Sequence, residues 1–312
     1  MKASFFAKIL LFGEYGIIKD AMGLSIPYPS YSGALTFSDG ELNASEYASH
    51  ASLVAYLKFL KDLKARGELI ANLDLAQLEA DIEKGLIFDS SIPQGYGVGS
   101  SGALVAAIYG QYAKGALDLG GAPQGSQLQQ LKSELAQMES FFHGRSSGVD
   151  PVICYLQLPL LISEKQQLGT VDVPETNAEG AGAVFLLNSG GPSETQPMVS
   201  IFMNKLKEEG FRNVMSQQFK KYNDACISAF LDGEWDPMFH NLKSLSRLAL
   251  DHFQPMIPEH FVPAWEQGIE SNAYYLKLCG SGGGGYILGF TRDIEQAKEL
   301  LKPHNPEVVL RF

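Results

Sequence analysis

Between Ile92 and Gly110 the chain reads IPQGYGVGSSGALVAAIYG. Glycines at 95, 97 and 99 alternate with other residues, two serines follow, and an apolar helical pattern begins near Ser100. The first turn of a helix carries unpaired N–H groups and the positive end of its dipole, and glycines let a ligand approach the backbone closely. Bare backbone placed just ahead of a helix therefore predicts an anion site, with phosphate as the natural occupant. The segment before it, GLIFDSSIP, reads as a strand, giving the order strand, glycine loop, helix.

Two phosphate-loop templates can be compared with this loop. Gly97-x-Gly99-x-x-Gly102 matches the dinucleotide fingerprint, with Asp118 near the acidic position expected further on. Against that template, the motif follows Pro93 deep in the chain and no clear strand carries the acid. A Walker A loop is excluded, because no Gly-Lys-Ser/Thr closes the run. A plain glycine turn ahead of a helix is the bland alternative. The Ser100-Ser101 pair favours phosphoryl transfer: a hydroxyl there can ligate Mg²⁺ while loop N–H groups hold phosphate oxygens.

Charge limits the choice of ligand. The chain has 312 residues and a formal net charge of −11, without Lys/Arg clusters. Nucleic acid and anionic membrane are poor partners for such a surface, so a polyanion must enter a local pocket, with a divalent cation. Cys154, Cys226 and Cys279 are far apart and form no CxxC pair, which fits a reducing compartment. The apolar FFAKILLFG is interrupted by Lys8 and closed by Glu14 without a cleavage pattern, and no run of about 18 apolar residues occurs. A cytoplasmic protein without membrane association is expected.

Further along, residues 5–12 read as a strand and 33–37 as a short one. Residues 45–65 form a helix with Leu53, Tyr56, Leu57 and Leu60 on one face. The helix from Ser100 turns Leu104, Ala107, Ile108 and Tyr112 inward. Another covers 126–143, with Leu128, Leu131, Leu135, Met138 and Phe142 as its stripe, Glu139 at the stripe's edge and His143 one turn on. HGRSSGVD breaks that helix, and PVICYLQLPLLI is expected to return as strand. A polar stretch at 164–182 marks the boundary, giving domains of 1–178 and 179–312. The second half opens with the strand AVFLLN, then helices near 199–231 and 237–252, with Asp236 as N-cap and Pro237 at the first helical position. AYYLKL and YILGF flank a glycine run at 280–285, and EVVLRF closes the chain as strand. The whole is an α+β protein of two domains.

Three segments carry chemistry. Besides the quoted loop, ESFFHGRSSGVD supplies Glu139 as a carboxylate for a metal and Asp150 as a group to position an acceptor hydroxyl. Either alone reads as a solvated helix or turn residue; beside a magnesium-phosphate loop both acquire roles. His143 is a packing or hydrogen-bonding residue. KLCGSGGGGYILGF could be a linker, but apolar strand residues press on it from both sides, which favours a tight turn lining a site without side chains.

These segments, in this order, resemble the GHMP kinase superfamily, and within it the mevalonate kinase branch. AKILLFGEYGII resembles the family's opening motif, PQGYGVGSSGA its phosphate loop, HGRSSGVD its His-Gly-x-x-Ser-Gly-x-Asp, and LLNSGGPSETQPMV and KLCGSGGGG its later strand and glycine loop. The resemblance implies two α+β domains, the first like a ribosomal S5 domain 2 and the second ferredoxin-like. It implies an ATP- and Mg²⁺-dependent kinase acting on a small-molecule alcohol, with the primary hydroxyl of mevalonate foremost. Another GHMP kinase acting on a sugar or phosphomevalonate, or a non-catalytic binding protein of this fold, are the alternatives.

By the same resemblance Asp150 orients or deprotonates the acceptor hydroxyl, and Lys8 contacts Asp150. Ser101 and Glu139 hold Mg²⁺. Gly95, Gly97, Val98 and Gly99 wrap the ATP phosphates, with Pro93, Tyr96, Ser100, Ser101 and Gly102 completing the loop. Glu14, Tyr15, His143, Gly282 and Gly283 lie on the acceptor side. A homodimer is implied too. Tyr15 stands where the family has histidine, Gly102 where it has alanine, Cys279 where it has threonine, and Arg145-Ser146 where Asn-Pro is common.

Overall fold

The structure, a computed structural model, describes residues 3–38, 40–116, 123, 125–163 and 167–312. Asp118 and residues 164–166 of the expected boundary segment lie outside the described residues. Contacts cluster into two compact units: residues 1–8, 26–93 and 99–158 in the first, and residues 9–25, 94–98 and 159–312 in the second. These units follow contact density and are discontinuous in sequence, so they have other bounds than the division at 178/179, which we retain as a proposal about sequence domains.

The first unit holds the start of strand β1 (Phe5–Phe12) and most of β2 (Gly23–Phe37), then α1 (Ala44–Ala65), α2 (Leu75–Glu83), β3 (Leu86–Ser90), α3 (Ser100–Tyr112), α4 (Ser126–His143) and α5 (Val149–Leu156). Asn43 caps α1 by accepting from the Ser45 and Glu46 N–H groups while Glu46 returns a bond to Asn43, a capping box. Strand β2 is one long strand, of which the expected 33–37 is the end that pairs antiparallel with β3. Helix α4 coincides with the expected 126–143. Leu128, Leu131, Leu135 and Met138 are fully buried, each worth about 1.5–3 kcal/mol of apolar burial. Every residue of α3 from Gly102 to Tyr109 is buried, and α3 packs on α2, α4 and α5.

Helix α5 corrects the expectation of a strand at PVICYLQLPLLI. Seven of its eight residues are buried, Asp150 being the exception, and only Leu160–Ile162 of the remaining run is strand. An apolar run buried on every side has no period to separate helix from strand. Pro151 belongs to the first turn, where its missing N–H removes no helical bond.

The second unit takes the end of β1 and start of β2, then β4 (Leu160–Ile162), β5 (Leu168–Thr170), β6 (Ala183–Asn188), α6 (Thr195–Lys205), α7 (Glu209–Asn213), α8 (Lys220–Leu231), α9 (Trp235–His252), α10 (Val262–Ser271), β7 (Tyr274–Leu278), β8 (Tyr286–Thr291), α11 (Ile294–Leu300) and β9 (Glu307–Arg311). One sheet has the order β1-β2-β4-β5, with β3 pairing off β2. The other is the antiparallel β7-β8-β6-β9, with α9 and α10 packed on β7. The helix expected at 199–231 is broken into α6, α7, a π-helical turn at Val214–Phe219 and α8. Asp236 is not an N-cap: α9 begins one residue earlier behind Glu234, and Asp236 reaches Arg292 at 2.6 Å. Among the described residues no helix is long and apolar enough to cross a membrane.

Candidate active site

In the first unit, α3 begins behind Gly99 in a left-handed conformation, and no side chain caps it. Its first-turn N–H groups therefore keep the donor capacity an anion needs. Ser100 opens the helix, and Ser101 turns its hydroxyl toward α4, donating to Glu139 Oε1 at 3.1 Å and lying 3.0 Å from His143 Nε2. The Ser101–His143 contact runs in the direction that the imidazole tautomer sets. The Ser146 hydroxyl donates to Glu139 Oε2, so both carboxylate oxygens are engaged.

Glu139 is 3% exposed, and burial, then the neighbouring Asp150 charge, push it up to about 7 against the hydroxyl donors and Lys8. His143 is held below its ordinary value, first by burial, with Asp150 opposing and Lys8 adding to the depression. Lys8 reaches in from β1 and pairs with Asp150 Oδ2 at 2.8 Å. Asp150 sits in the first turn of α5, where a carboxylate suits the helix dipole. Gly102 lies where α3 crosses that turn: a Cβ there would stand 3.0 Å from the Asp150 carbonyl carbon and from Pro151 N. Close approach of the two helices thus accounts for glycine where the resembling family carries alanine.

The residues present suit a magnesium ion. Ser101 and Glu139 are hard oxygen donors in mutual contact, on neighbouring helices. Among the described residues no group of three or more His, Cys, Asp or Glu is arranged to hold a metal. A cation here would take two ligands from the chain and the rest from phosphate and water, the usual pattern for Mg²⁺.

In the second unit, loop residues 94–98 dock against the glycine run. Ser193 N donates to Gly95 O at 2.9 Å and Tyr286 N to Tyr96 O at 3.3 Å. Gly97 has φ +80°, and a Cβ on it would lie 2.4 Å from Cys279 O, so only glycine fits this turn. Val98 is fully buried, whereas Pro93, assigned to the first unit, is half-buried. Gly282 O accepts from the Ser193 hydroxyl at 2.7 Å and Gly283 N donates to Met256 O at 2.5 Å, so the run is a fastened turn and not a linker.

Tyr15 stacks on Phe202 at 4.4 Å and donates its hydroxyl to Ser281 O at 2.7 Å. Burial, and then the charge of Glu14, keep the phenol protonated far above neutral pH. Its backbone, at φ 56° and ψ −32°, is the centre of a γ-turn closed by Gly16 N on Glu14 O, a strained form for a non-glycine residue costing about 1–3 kcal/mol. Glu14 is buried, with its carboxylate on Lys277 Nζ at 2.5 Å.

The first unit thus gathers Lys8, Ser101, Glu139, His143 and Asp150, and the second gathers Glu14, Tyr15, the loop at 94–98 and the run at 280–285. Sequence reasoning missed Ser146 and Lys277. For Lys277 a signal existed: a lysine within YYLKL, bounded by apolar residues, must find a countercharge if the strand is buried on both faces.

Residues 68–157 match the family described as GHMP kinases N terminal domain. A mevalonate kinase of Pyrococcus abyssi (strain GE5 / Orsay) is 26% identical over 308 residues, covering 89% of this chain and 85% of that protein. L. major mevalonate kinase, solved in complex with R-mevalonate, is similar with a TM-score of 0.64 at 13% identity, covering 98% of this chain and 92% of that one. Streptococcus pneumoniae phosphomevalonate kinase gives a TM-score of 0.62 at 14% identity over 99% and 98%. The fold is the α+β GHMP kinase fold, and residues 68–157 match that family's N-terminal domain. In sequence the likeness is to a mevalonate kinase.

Proposed function

We propose that this protein is an ATP-dependent kinase that transfers the γ-phosphate to an alcohol, with the primary hydroxyl of mevalonate as acceptor. The observation that carries the reading is the Lys8–Asp150 pair beside the Ser101–Glu139 contact, all at the start of an uncapped helix. Phosphoryl transfer asks little covalent chemistry of a protein and much positioning and charge stabilisation. The N–H groups at the start of α3, with the loop from Pro93 to Gly102, bind and orient the triphosphate. Ser101 and Glu139 hold Mg²⁺, which when bound neutralises charge on the phosphate oxygens.

Asp150 orients the acceptor hydroxyl for in-line attack and receives its proton. A carboxylate is a weak base, so Lys8 matters as much: its ammonium orients Asp150 and favours the developing alkoxide. Tyr15, with Gly282 and Gly283, forms the acceptor side, Glu14 supports the Tyr15 turn, and His143 orients Ser101. The mevalonate reading draws on the named relatives. A coupled ADP-release screen over mevalonate, phosphomevalonate, galactose and homoserine tests it: mevalonate should give the highest kcat/KM, and preference for another member would reassign the acceptor.

The reading includes a cytoplasmic location, supported by three widely spaced, buried cysteines, and a homodimer, supported by the family resemblance. Light scattering on the purified protein checks the latter.

A further inference from the structure

The Glu14–Lys277 ion pair has no place in the transfer step just described, and both side chains are sealed within the second unit, at 1% and 0% exposure. The ammonium also lies 5.5 Å from the centroid of the Phe12 ring. An uncharged pair of similar volume would pack at least as well, because desolvating two ions offsets most of their attraction. The position of the pair suggests what it is for. Glu14 directly precedes Tyr15, and Lys277 lies on β7 two residues before Cys279, where the strand enters the glycine run.

Tyr15 is held in a γ-turn that a tyrosine does not keep on its own. Ring contacts with Phe202 and Phe253 and the hydroxyl bond to Ser281 O restrain its side chain, and Ile17 N on Gly13 O and Ile18 N on Tyr15 O brace the turn locally. The anchoring of Glu14 by Lys277 grips the turn through its first residue from 263 positions away, and it links that turn to the strand leading into the glycine run.

We propose that Lys277 is a positioning residue for acceptor recognition: through Glu14 it clamps the γ-turn and so holds the Tyr15 phenol at Ser281, in the conformation that meets the alcohol. This deepens the acceptor side of the proposed kinase function and rests on it. Loss of the clamp lets Tyr15 leave its strained backbone, which weakens acceptor binding and leaves the phosphate loop intact.

The test compares Lys277→Met, Tyr15→Ala and their combination in the full-length protein. Lys277→Met should raise KM for the acceptor about tenfold while KM for ATP stays within about twofold, a split that general loss of folding does not produce. On the Tyr15→Ala background Lys277→Met should add nothing; effects that multiply overturn the proposal. Because Lys277→Met strands a buried carboxylate, Glu14→Gln/Lys277→Met serves as an uncharged companion. It should recover Tm and keep the acceptor defect, whereas recovery of acceptor KM would mean that the pair only fills space. Hydrogen exchange supplies a readout free of activity: residues 13–20 should exchange faster in Lys277→Met, with α3 and α4 unchanged. Unchanged exchange at 13–20 overturns the clamp alone, and a wild-type protein inert toward every alcohol overturns the kinase reading alone.

Discussion

The Lys8 ammonium lies 2.8 Å from Asp150 Oδ2, and the two differ in exposure: the lysine side chain is 4% exposed and the aspartate 39%. A cation fixed beneath an accessible carboxylate orients that carboxylate outward, as a group that must receive a hydroxyl requires. Asp150→Asn should therefore lower kcat by a factor of about 10² to 10⁴ with ATP affinity nearly unchanged. Single-turnover kinetics with a parallel nucleotide titration measures both, and undiminished turnover would remove Asp150 from the mechanism.

Ser101 and Glu139 are expected to act together on the metal. Ser101→Ala or Glu139→Gln should shift the Mg²⁺ concentration for half-maximal activity upward by about tenfold or more, in keeping with loss of one oxygen ligand. At saturating Mg²⁺ part of the activity returns. A magnesium titration that coincides with wild type in both variants contradicts the assignment.

Gly102 offers a test in which two effects oppose. Gly→Ala inside a helix gains about 1 kcal/mol of intrinsic propensity, and alanine is the residue of the resembling family. Here the added methyl would press on the Asp150–Pro151 backbone at 3.0 Å. Gly102→Ala should lower kcat several-fold through displacement of Asp150, with KM for ATP unchanged. An unaltered kcat would show that α5 moves aside without consequence.

Burial raises the Glu14 pKa and the charge of Lys277 opposes that rise. In Lys277→Met the opposition is gone, so the folded value moves further above the unfolded one. A group raised in this way stabilises fully below its unfolded value, about 4.3 for a glutamate, and loses that contribution as pH climbs through the folded value. The variant should be less stable at pH 8 than at pH 5 relative to wild type. At pH 8 its loss should reach about 3–5 kcal/mol, the cost of stranding a buried charge. Urea unfolding at the two pH values checks this, with Glu14→Gln/Lys277→Met as the control whose penalty does not grow with pH.

Particular elements show where reading from sequence succeeds. Helix α4 was legible to the residue because its leucines repeat along one face, and the same stripe placed Glu139 at its edge, close to where the structure finds it buried against Ser101. The glycine loop was legible because backbone without side chains ahead of a helix has few uses. Helix α5 was not: Val149–Leu156 is buried almost all round and lacks a polar face to set the phase. The start of α9 was misplaced because Asp236 looks like a cap to local reasoning, while Arg292, 56 residues away in the chain, offers it an ion pair.

What the sequence by itself determined were features that depend on near neighbours: helical periodicity, the glycine loop ahead of α3, the serines at the start of α3, and the motif order that resembles one kinase superfamily. Only the tertiary structure decided which charges meet. Lys8 finds Asp150 across 142 positions and Glu14 finds Lys277 across 263. The reason is physical: burial of a charge is tolerable only beside its countercharge, and which countercharge arrives is settled by how strands and helices pack, not by spacing along the chain.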